Sequence, residues 1–419
     1  MSRSKSIRIP LLAAALLAAG TFAYGAEPPL TLGEAQRAAL ERSRSLAGQR
    51  LAIEASRDMA VAAAQYPDPV LTLSLENVPA EGPDRFRLSR DGMTMKRVGV
   101  MQELTAKDKR ALRAERFEIE ARKMQAEQES MTAMVQRDTA MAWLDAWYMD
   151  AAVAVVAELR ERALQEVTAA ESEYRAGRGS QPDVLMAHAN VAMLDDRAAE
   201  AQRKARNART MLGRWTGEEV ASRPLGAKPD LAALATMGHE EVLARHPEIE
   251  ALDRTQEMAA SEARLAQANR NPDWSVELAW QERSSKFGDM FSVGVSIPLP
   301  WDRANRQDRE LSAKLALAEQ ARAARDEALR KHAAEFRTMV NEWESNRSRV
   351  ARYEREILPL ARSRSEASMI AYRSGKSSRS EVLASLRAEL DARLMALMLE
   401  AETARLWAQL NYLIPENMK

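Results

Sequence analysis

A chain of 419 residues with 61 Lys plus Arg against 61 Asp plus Glu has no formal net charge, which excludes the basic footprint of a nucleic-acid-binding protein. The absence of cysteine excludes disulfides, thiolate metal sites and cysteine nucleophiles. A charged fraction of 29%, mixed in sign and set among abundant Ala and Leu, suits long helices better than a compact α/β core.

Residues 1–25 read as a secretory signal: Arg3, Lys5 and Arg8, then an apolar run from Leu11 to Ala19, then small residues at Ala23 and Gly25. That run is shorter than the ~18 residues a spanning helix needs, and no other run is expected to reach it. Residues 26–216 are expected to form a first repeat. Its helix runs from Thr31 to about Tyr66 and stops at Pro67-Asp68-Pro69, because proline cannot continue a helix. Leu71, Leu73 and Leu75 alternate with Thr72, Ser74 and Glu76, the pattern of a half-buried strand at about 70–78. A polar loop leads to a second strand at about 95–104 containing Val98-Gly99-Val100. From Thr105 to Glu173 there is neither Pro nor Gly. A helix of that length extends roughly 100 Å at ~1.5 Å per residue, longer than an ordinary globular domain.

The helix stops at Tyr174-Arg175-Ala176-Gly177-Arg178-Gly179-Ser180-Gln181-Pro182-Asp183-Val184-Leu185. This stretch has a twin 198 positions on (372 minus 174), Tyr372-Arg373-Ser374-Gly375-Lys376-Ser377-Ser378-Arg379-Ser380-Glu381-Val382-Leu383. Each copy is predicted to be the tip of a helical hairpin, and two such tips divide the chain into two halves. After a helix to about Thr216, residues 217–238 read as a linker, with Pro224, Gly226 and Pro229. The second repeat, 239–415, restarts the plan: a helix from Glu240 to Asn269, then Pro272-Asp273 matching Pro67-Asp68. Trp274, Val276, Leu278 and Trp280 alternate with polar or small residues at about 273–281, as do Phe291, Val293, Val295, Ile297 and Leu299 at about 290–299. Trp301 to Tyr372 is expected to be one long helix with Pro359 as its only interruption, and a last helix runs to Tyr412.

Each half thus has one long helix and two shorter ones able to stack end to end along it. The four strands carry an apolar and a polar face, a pattern that fits either a soluble sandwich or a lipid-facing sheet. In lipid only a closed barrel leaves no unpaired edge, and four strands are too few to close one; three chains would supply about twelve. Trp274 and Trp280, six residues apart on one face, are separated by roughly 20 Å of strand, close to the spacing of two aromatic girdles.

The duplicated Tyr-x-x-Gly…Val-Leu tip, the Pro-Asp before a strand, the Val-Gly-Val strand and the repeated element order together resemble the TolC family of outer-membrane efflux factors over about residues 31–414. Length and the short linker are most similar to the outer-membrane components of heavy-metal pumps of the cobalt–zinc–cadmium and copper–silver type. The resemblance implies a mainly α fold with a small membrane β-barrel contribution, built as a homotrimer with a periplasmic helical tunnel. It implies a passive exit duct for heavy-metal cations, joined to a periplasmic adaptor and an inner-membrane pump of the RND type, with no cofactor and no catalysis. It assigns adaptor docking and gating to the tips, at Tyr174, Arg175, Gly177, Arg178 and Asp183 and at Tyr372, Arg373, Gly375, Lys376, Arg379 and Glu381, and outer-membrane lipid to Leu71, Leu73, Leu75, Trp274, Val276, Leu278, Trp280, Phe291, Val293 and Val295. Many relatives carry a lipid-modified cysteine that this chain lacks, so anchorage would fall to the barrel alone.

The tip acids have a simpler reading, since Asp183 and Glu381 sit in first helical turns where acids are favoured anyway. Four histidines, His188, His239, His246 and His332, read as surface or packing residues, because the spacing of His239 and His246 does not fit a zinc-protease box. Met93, Met95 and Met101 offer soft thioethers near the first hairpin, a donor suited to Cu(I) or Ag(I), though methionine more often fills irregular packing. Two other classes compete: a periplasmic adaptor, which would show one hairpin rather than two equal halves, and an exported structural coiled coil, which leaves the strands without a role.

Overall fold

The computed structural model describes residues 28–231, 245–284 and 286–415. The signal sequence, part of the linker and His239 lie outside the described residues.

The first helical stretch is two helices, α1 (Leu32–Arg42) and α2 (Arg44–Ala63). Thr31 and Glu34 form a reciprocal capping box at the start of α1. Ser43 ends α1 in an extended conformation, and its hydroxyl accepts from the Leu46 amide to start α2. Strands β1 (Val70–Glu76) and β2 (Met95–Leu104) follow, then α3 (Lys107–Arg175), 69 residues in one helix. After the first tip come α4 (Gln181–Thr216) and the short α5 (Glu218–Ser222). The second half holds α6 (Pro247–Ala268), β3 (Trp274–Glu282), β4 (Met290–Ser296), α7 (Gln307–Arg352), α8 (Leu358–Arg373) and α9 (Arg379–Asn411).

Three expectations need correction. The long second-half helix does not begin at Trp301, because residues 301–306 form turns. It is also broken into α7 and α8 by a π-helical turn at Tyr353–Ile357. Pro359 has no N–H for the carbonyl four residues back, and the wider turn absorbs the mismatch. The start of the linker is folded: α5 is followed by a parallel bridge of Leu225 to Leu30, with the Leu30 amide donating to the Pro224 carbonyl at 2.7 Å. Finally, α3 is apolar enough by length and composition to cross a membrane. Its apolar residues Ala140, Trp143, Leu144, Ala146 and Tyr148 instead make the main core, with Leu212 of α4 and Trp407, Ala408 and Leu410 of α9.

Along α3, α2 and α6 flank the first part, while α4 and α9 flank the second. Buried alanines on α3 (Ala121, Ala126, Ala133, Ala163, Ala170) allow these helices to approach closely. Trp143 ties the chain start to this core by donating its indole N–H to the Leu30 carbonyl at 3.0 Å. The outer wall, α7 and α8, is thinly covered: among the described residues of α7 only Trp343 and Asn346 are buried, and of α8 only Ser365.

The four strands form one antiparallel sheet in the order β1-β2-β3-β4. The two expected hairpins are joined through β2 and β3, with Val98 opposite Trp280 and Val100 opposite Leu278. β1 ends at Glu76 and β4 at Ser296, short of the expected 78 and 299. Pro298 and Pro300 lack the donor a ladder needs. The sheet sits at the start of α3 and the tips at its far end, so they are roughly 100 Å apart at ~1.5 Å per residue.

Candidate membrane-facing sheet and hairpin tips

Alternation sorts the sheet into two faces. Leu71, Leu73 and Leu75 of β1, Val98 and Val100 of β2, Trp274, Leu278 and Trp280 of β3, and Phe291, Val293 and Val295 of β4 are all exposed, with Leu73 at 71% and Phe291 at 67%. Val276 is half-buried between them. Register makes this a continuous patch: Leu73 lies opposite Val98, Leu278 opposite Val293 and Trp280 opposite Phe291. No element packs on it among the described residues, which removes the sandwich reading for the single chain. The other face is polar. Arg97 bridges Glu76 at 3.3 Å and Glu277 at 2.7 Å, and Gln281 donates to the Ser292 hydroxyl at 2.9 Å. Met95 and Met101 lie on this face, six residues apart on one strand. That is roughly 20 Å, so with Met93 in the preceding loop they cannot share one metal.

The apolar row continues past β4 through Ile297 and Leu299 to Trp301, which is 93% exposed. Fully extended, the ten steps from Phe291 to Trp301 cover ~33 Å. At a tilt of ~40° that is about 25 Å of height, the thickness of an outer-membrane apolar band. The expected Trp274–Trp280 pair spans less, and Trp301, close in sequence to Arg303 and Arg306, is an exposed aromatic at the helical end. Sequence alternation carries this row as far as Leu299, and the structure adds Trp301 to it.

Sheet and helices are joined at Asp273. Its carboxylate accepts from the Ala106 amide at 3.1 Å, capping α3, and pairs with Lys109 Nζ at 3.0 Å. The Lys109 side chain is only 4% exposed, and its ammonium also donates to the Asn271 carbonyl at 2.6 Å.

The tip motif has a local cause. In the first copy the Arg178 amide bonds back to the Glu173 carbonyl (2.9 Å) and the Gly177 amide to the Tyr174 carbonyl (3.0 Å). The second repeats this, Lys376 to Ala371 (2.8 Å) and Gly375 to Tyr372 (2.9 Å). This is the Schellman helix stop, and it puts glycine where φ must be positive, +71° at Gly177 and +72° at Gly375. Ser180 and Ser378 then cap the next helices by accepting from the Asp183 and Glu381 amides. Tyr-x-x-Gly…Ser-x-x-acid is thus a stop and a start in one stretch.

The two tips differ in what they touch. Tyr174, Arg175, Gly177, Arg178 and Leu185 are exposed, and Asp183 is engaged in its own capping box. In the second copy Arg373, Gly375, Lys376 and Glu381 are exposed, whereas Val382, Leu383 and Arg379 are buried. Arg379 is therefore no surface docking charge in this chain. Its side chain, 2% exposed, donates to Glu173 Oε2 and to the Tyr372 hydroxyl, both at 2.6 Å, and lies 3.7 Å from Glu166. Tyr372 also donates to Glu173 at 2.6 Å. Burial, with the Glu173 hydrogen bond, pushes the Tyr372 hydroxyl up. Burial also raises Glu166, against the pull of Arg379 and Arg373. Burial by itself would lower Arg379, but the bonds to Tyr372 and the charge of Glu173 hold it above its ordinary value. The second tip is clamped onto α3 by one arginine.

Sequence spacing missed one cluster. His246, at the start of α6, and His332, in α7, lie with rings 4.6 Å apart, and His332 Nε2 is 3.2 Å from Glu248. Burial, reinforced by His332, pushes His246 down to about 4. His188 is an exposed partner of Glu171 at 3.2 Å.

Residues 239–414 match the model of the family described as Outer membrane efflux protein. Among solved structures the chain is similar to the outer-membrane channel OprN, with a TM-score of 0.78 at 19% identity over 92% of this chain and 89% of that one. It is similar to the outer membrane protein VceC from Vibrio cholerae, at 0.75 and 18% over 91% and 95%, and to CusC, at 0.76 and 15% over 91% and 91%. No curated protein matches the sequence. The chain has the fold of these outer-membrane channels.

Proposed function

We propose that three copies of this chain close one barrel of about twelve strands in the outer membrane and continue it as a helical tunnel across the periplasm. The observation that carries this is the four-stranded sheet itself: among the described residues its apolar face is uncovered, and β1 and β4 leave both edges unpaired. A lipid-facing sheet cannot keep open edges, so β4 of one copy meets β1 of the next. The thinly covered α7–α8 wall, with Leu315, Leu317, Leu360 and Ile370 exposed, is where the neighbouring copy's helices pack.

The assembly is a passive exit duct of a tripartite efflux pump, not an enzyme. The tips receive a periplasmic adaptor that links the duct to an inner-membrane pump of the RND type. The resemblance in length and linker to the outer-membrane components of heavy-metal pumps supports heavy-metal cations as cargo. An adaptor would present one hairpin, and this chain presents two. The tips also suggest where the duct opens. Within a chain, Arg379 clamps the second tip to Glu173 and Glu166. At the equivalent position of the first tip, 198 residues earlier (379 minus 198), stands Gln181, and the positions matching Glu173 and Glu166 are Ala371 and Arg364. The seam between copies lacks the clamp and parts first.

The test is fractionation and planar-bilayer recording of the full chain. A heat-modifiable trimer in the outer-membrane fraction that conducts supports the reading. A water-soluble monomer that does not bind detergent overturns it. Deletion followed by growth on metals and organic toxicants decides the cargo, and sensitivity confined to organic toxicants removes the heavy-metal assignment.

A further inference from the structure

Two histidines 86 positions apart in sequence (332 minus 246) are brought together with a carboxylate at the junction of α6 and α7. The metal-binding atoms of His246, Glu248 and His332 all lie within 4.8 Å of one another. They open into a cleft of about 450 Å³ whose wall includes Ser130, Asp138 and Met141 of α3 and Tyr412 near the chain end. We propose that His246, Glu248 and His332 bind a divalent transition-metal cation of the zinc class, clipping the first turn of α6 to the middle of α7. The site stands whether or not the chain conducts.

The donor set selects the ion. Two imidazoles and one carboxylate suit Zn²⁺ and its neighbours. They do not suit Mg²⁺ or Ca²⁺, which need mostly oxygen, or Cu(I), which prefers sulfur. Spacing agrees: donors on a tetrahedral ion at ~2.0–2.1 Å sit about 3.3 Å apart, and His332 Nε2 is already 3.2 Å from Glu248 Oε2. Only the His246 ring has to swing inward, and it lies against the His332 ring. Glu335, one turn along α7, lies 3.7 Å from His332 Nδ1. A carboxylate there holds the proton on Nδ1 and turns the Nε2 lone pair toward Glu248, the arrangement that orients metal-bound histidines.

Arg137 in the cleft wall is engaged by Asp138 at 2.8 Å. His246 gives up one bond on binding. Its Nδ1 accepts from the Glu248 amide at 3.3 Å. A metal on Nδ1 replaces that bond directly, and a metal on Nε2 sends the remaining proton to Nδ1. Either way the helix cap is exchanged for a metal bond. The fourth position faces the cleft and is left to water.

The test uses the full detergent-solubilised chain, stripped with a chelator and titrated with Zn²⁺ against a chromophoric competitor, then with Co²⁺ alone. The expected result is one ion per chain, tetrahedral Co²⁺ absorption bands and a raised thermal midpoint with Zn²⁺. His246→Ala and His332→Ala should each weaken binding at least tenfold, while His188→Ala should not. Far-UV circular dichroism and the thermal midpoint report folding of each variant, and Glu248→Gln serves as the mild variant should either alanine fail to fold. Absence of a stoichiometric Co²⁺ spectrum in the unmodified chain overturns the proposal, as does equal affinity in the folded His246, His332 or Glu248 variants.

Discussion

Replacing Leu278 by arginine tests the lipid face. Leu278 is an exposed β3 residue flanked on the same face by Val100 and Val293. It lies four residues from Trp274 and two from Trp280, or about 13 Å and 7 Å along the strand. At a tilt of ~40° it is within roughly 5–10 Å of either aromatic level, well inside the apolar band. At that depth, between the midplane cost of ~2–4 kcal/mol and the interfacial cost of ~0–1, an arginine on the lipid face of a barrel costs about 1–3 kcal/mol per copy. The three copies of the proposed trimer would lose roughly 3–9 kcal/mol, a large part of the stability of an ordinary domain. The control is Thr72→Arg, on the polar face opposite Gly99, where the new side chain points into water. Expression of both variants, membrane fractionation and heat-modifiability on gels should show the Leu278 variant largely unassembled and the Thr72 variant near normal. Equal assembly of the two, or failure of Thr72→Arg alone, would mean that the exposed apolar face does not meet lipid.

Arg379→Met removes the tip clamp. Hydrogen bonds to charged groups contribute about 1.5–3 kcal/mol, and solvent at the partly exposed Glu173 holds the loss toward the lower figure; Tyr372→Phe should cost about 1 kcal/mol. Both should raise open-channel conductance and speed proteolysis at residues 173–181, with Arg379→Met the larger, and unchanged recordings in both would remove the clamp from the gate. Asp273→Ala strands the buried Lys109 ammonium and should cost about 3–5 kcal/mol in denaturant unfolding, whereas Lys109→Met with Asp273→Asn should recover most of it; a double variant no better than the single would show that the charge pair is not the source. Glu166 has a raised folded pKa, so the folded chain holds its proton at a pH where the unfolded chain has lost it. Stability from this group is therefore present at low pH and falls as pH rises from the unfolded value through the folded one. The melting temperature of Glu166→Gln minus that of the unmodified chain should grow from pH 4 to 7, and a flat or falling difference contradicts the burial.

Much of the fold was legible because its signals are local. Gly177 and Gly375 mark a positive φ that few other residues accept, and Pro67-Asp68 and Pro272-Asp273 follow the ends of α2 and α6. Period-2 alternation places Leu71 or Phe291 on a face without reference to any other element. Where the reading failed, the cause was non-local or geometric. Ser43 is an ordinary helix residue by propensity, and only its extended backbone makes it both the end of α1 and the cap of α2. Pro359 was visible, but the helix's choice of a π turn at Tyr353–Ile357 over a full stop depends on how α7 and α8 pack. The apolar middle of α3 is longer than the sequence reading allowed, and α1, α4 and α9 cover it as core.

The sites divide along the same line. Sequence could place Arg379 in a charged turn and could not tell that α3 passes beneath it, which turns an exposed charge into a buried one held by Glu173, Tyr372 and Glu166. Duplication then supplies what a single tip could not. If two tips of one ancestry differ at the clamping position and at both of its acceptors, the contacts within a chain and between chains cannot be equally strong. The same argument separates His246 and His332 from the sequence motifs that first attract attention. Their meeting depends on the axial register of α6 against α7, which pack along one another, and no spacing rule within one segment could report it. A one-residue insertion in α7 N-terminal to His332 should rotate the histidine by about 100°. It would leave composition and helix length nearly unchanged while abolishing the 3.2 Å approach to Glu248. Retained Co²⁺ bands in that insertion variant would show that the register of α6 on α7 is not what builds the cluster.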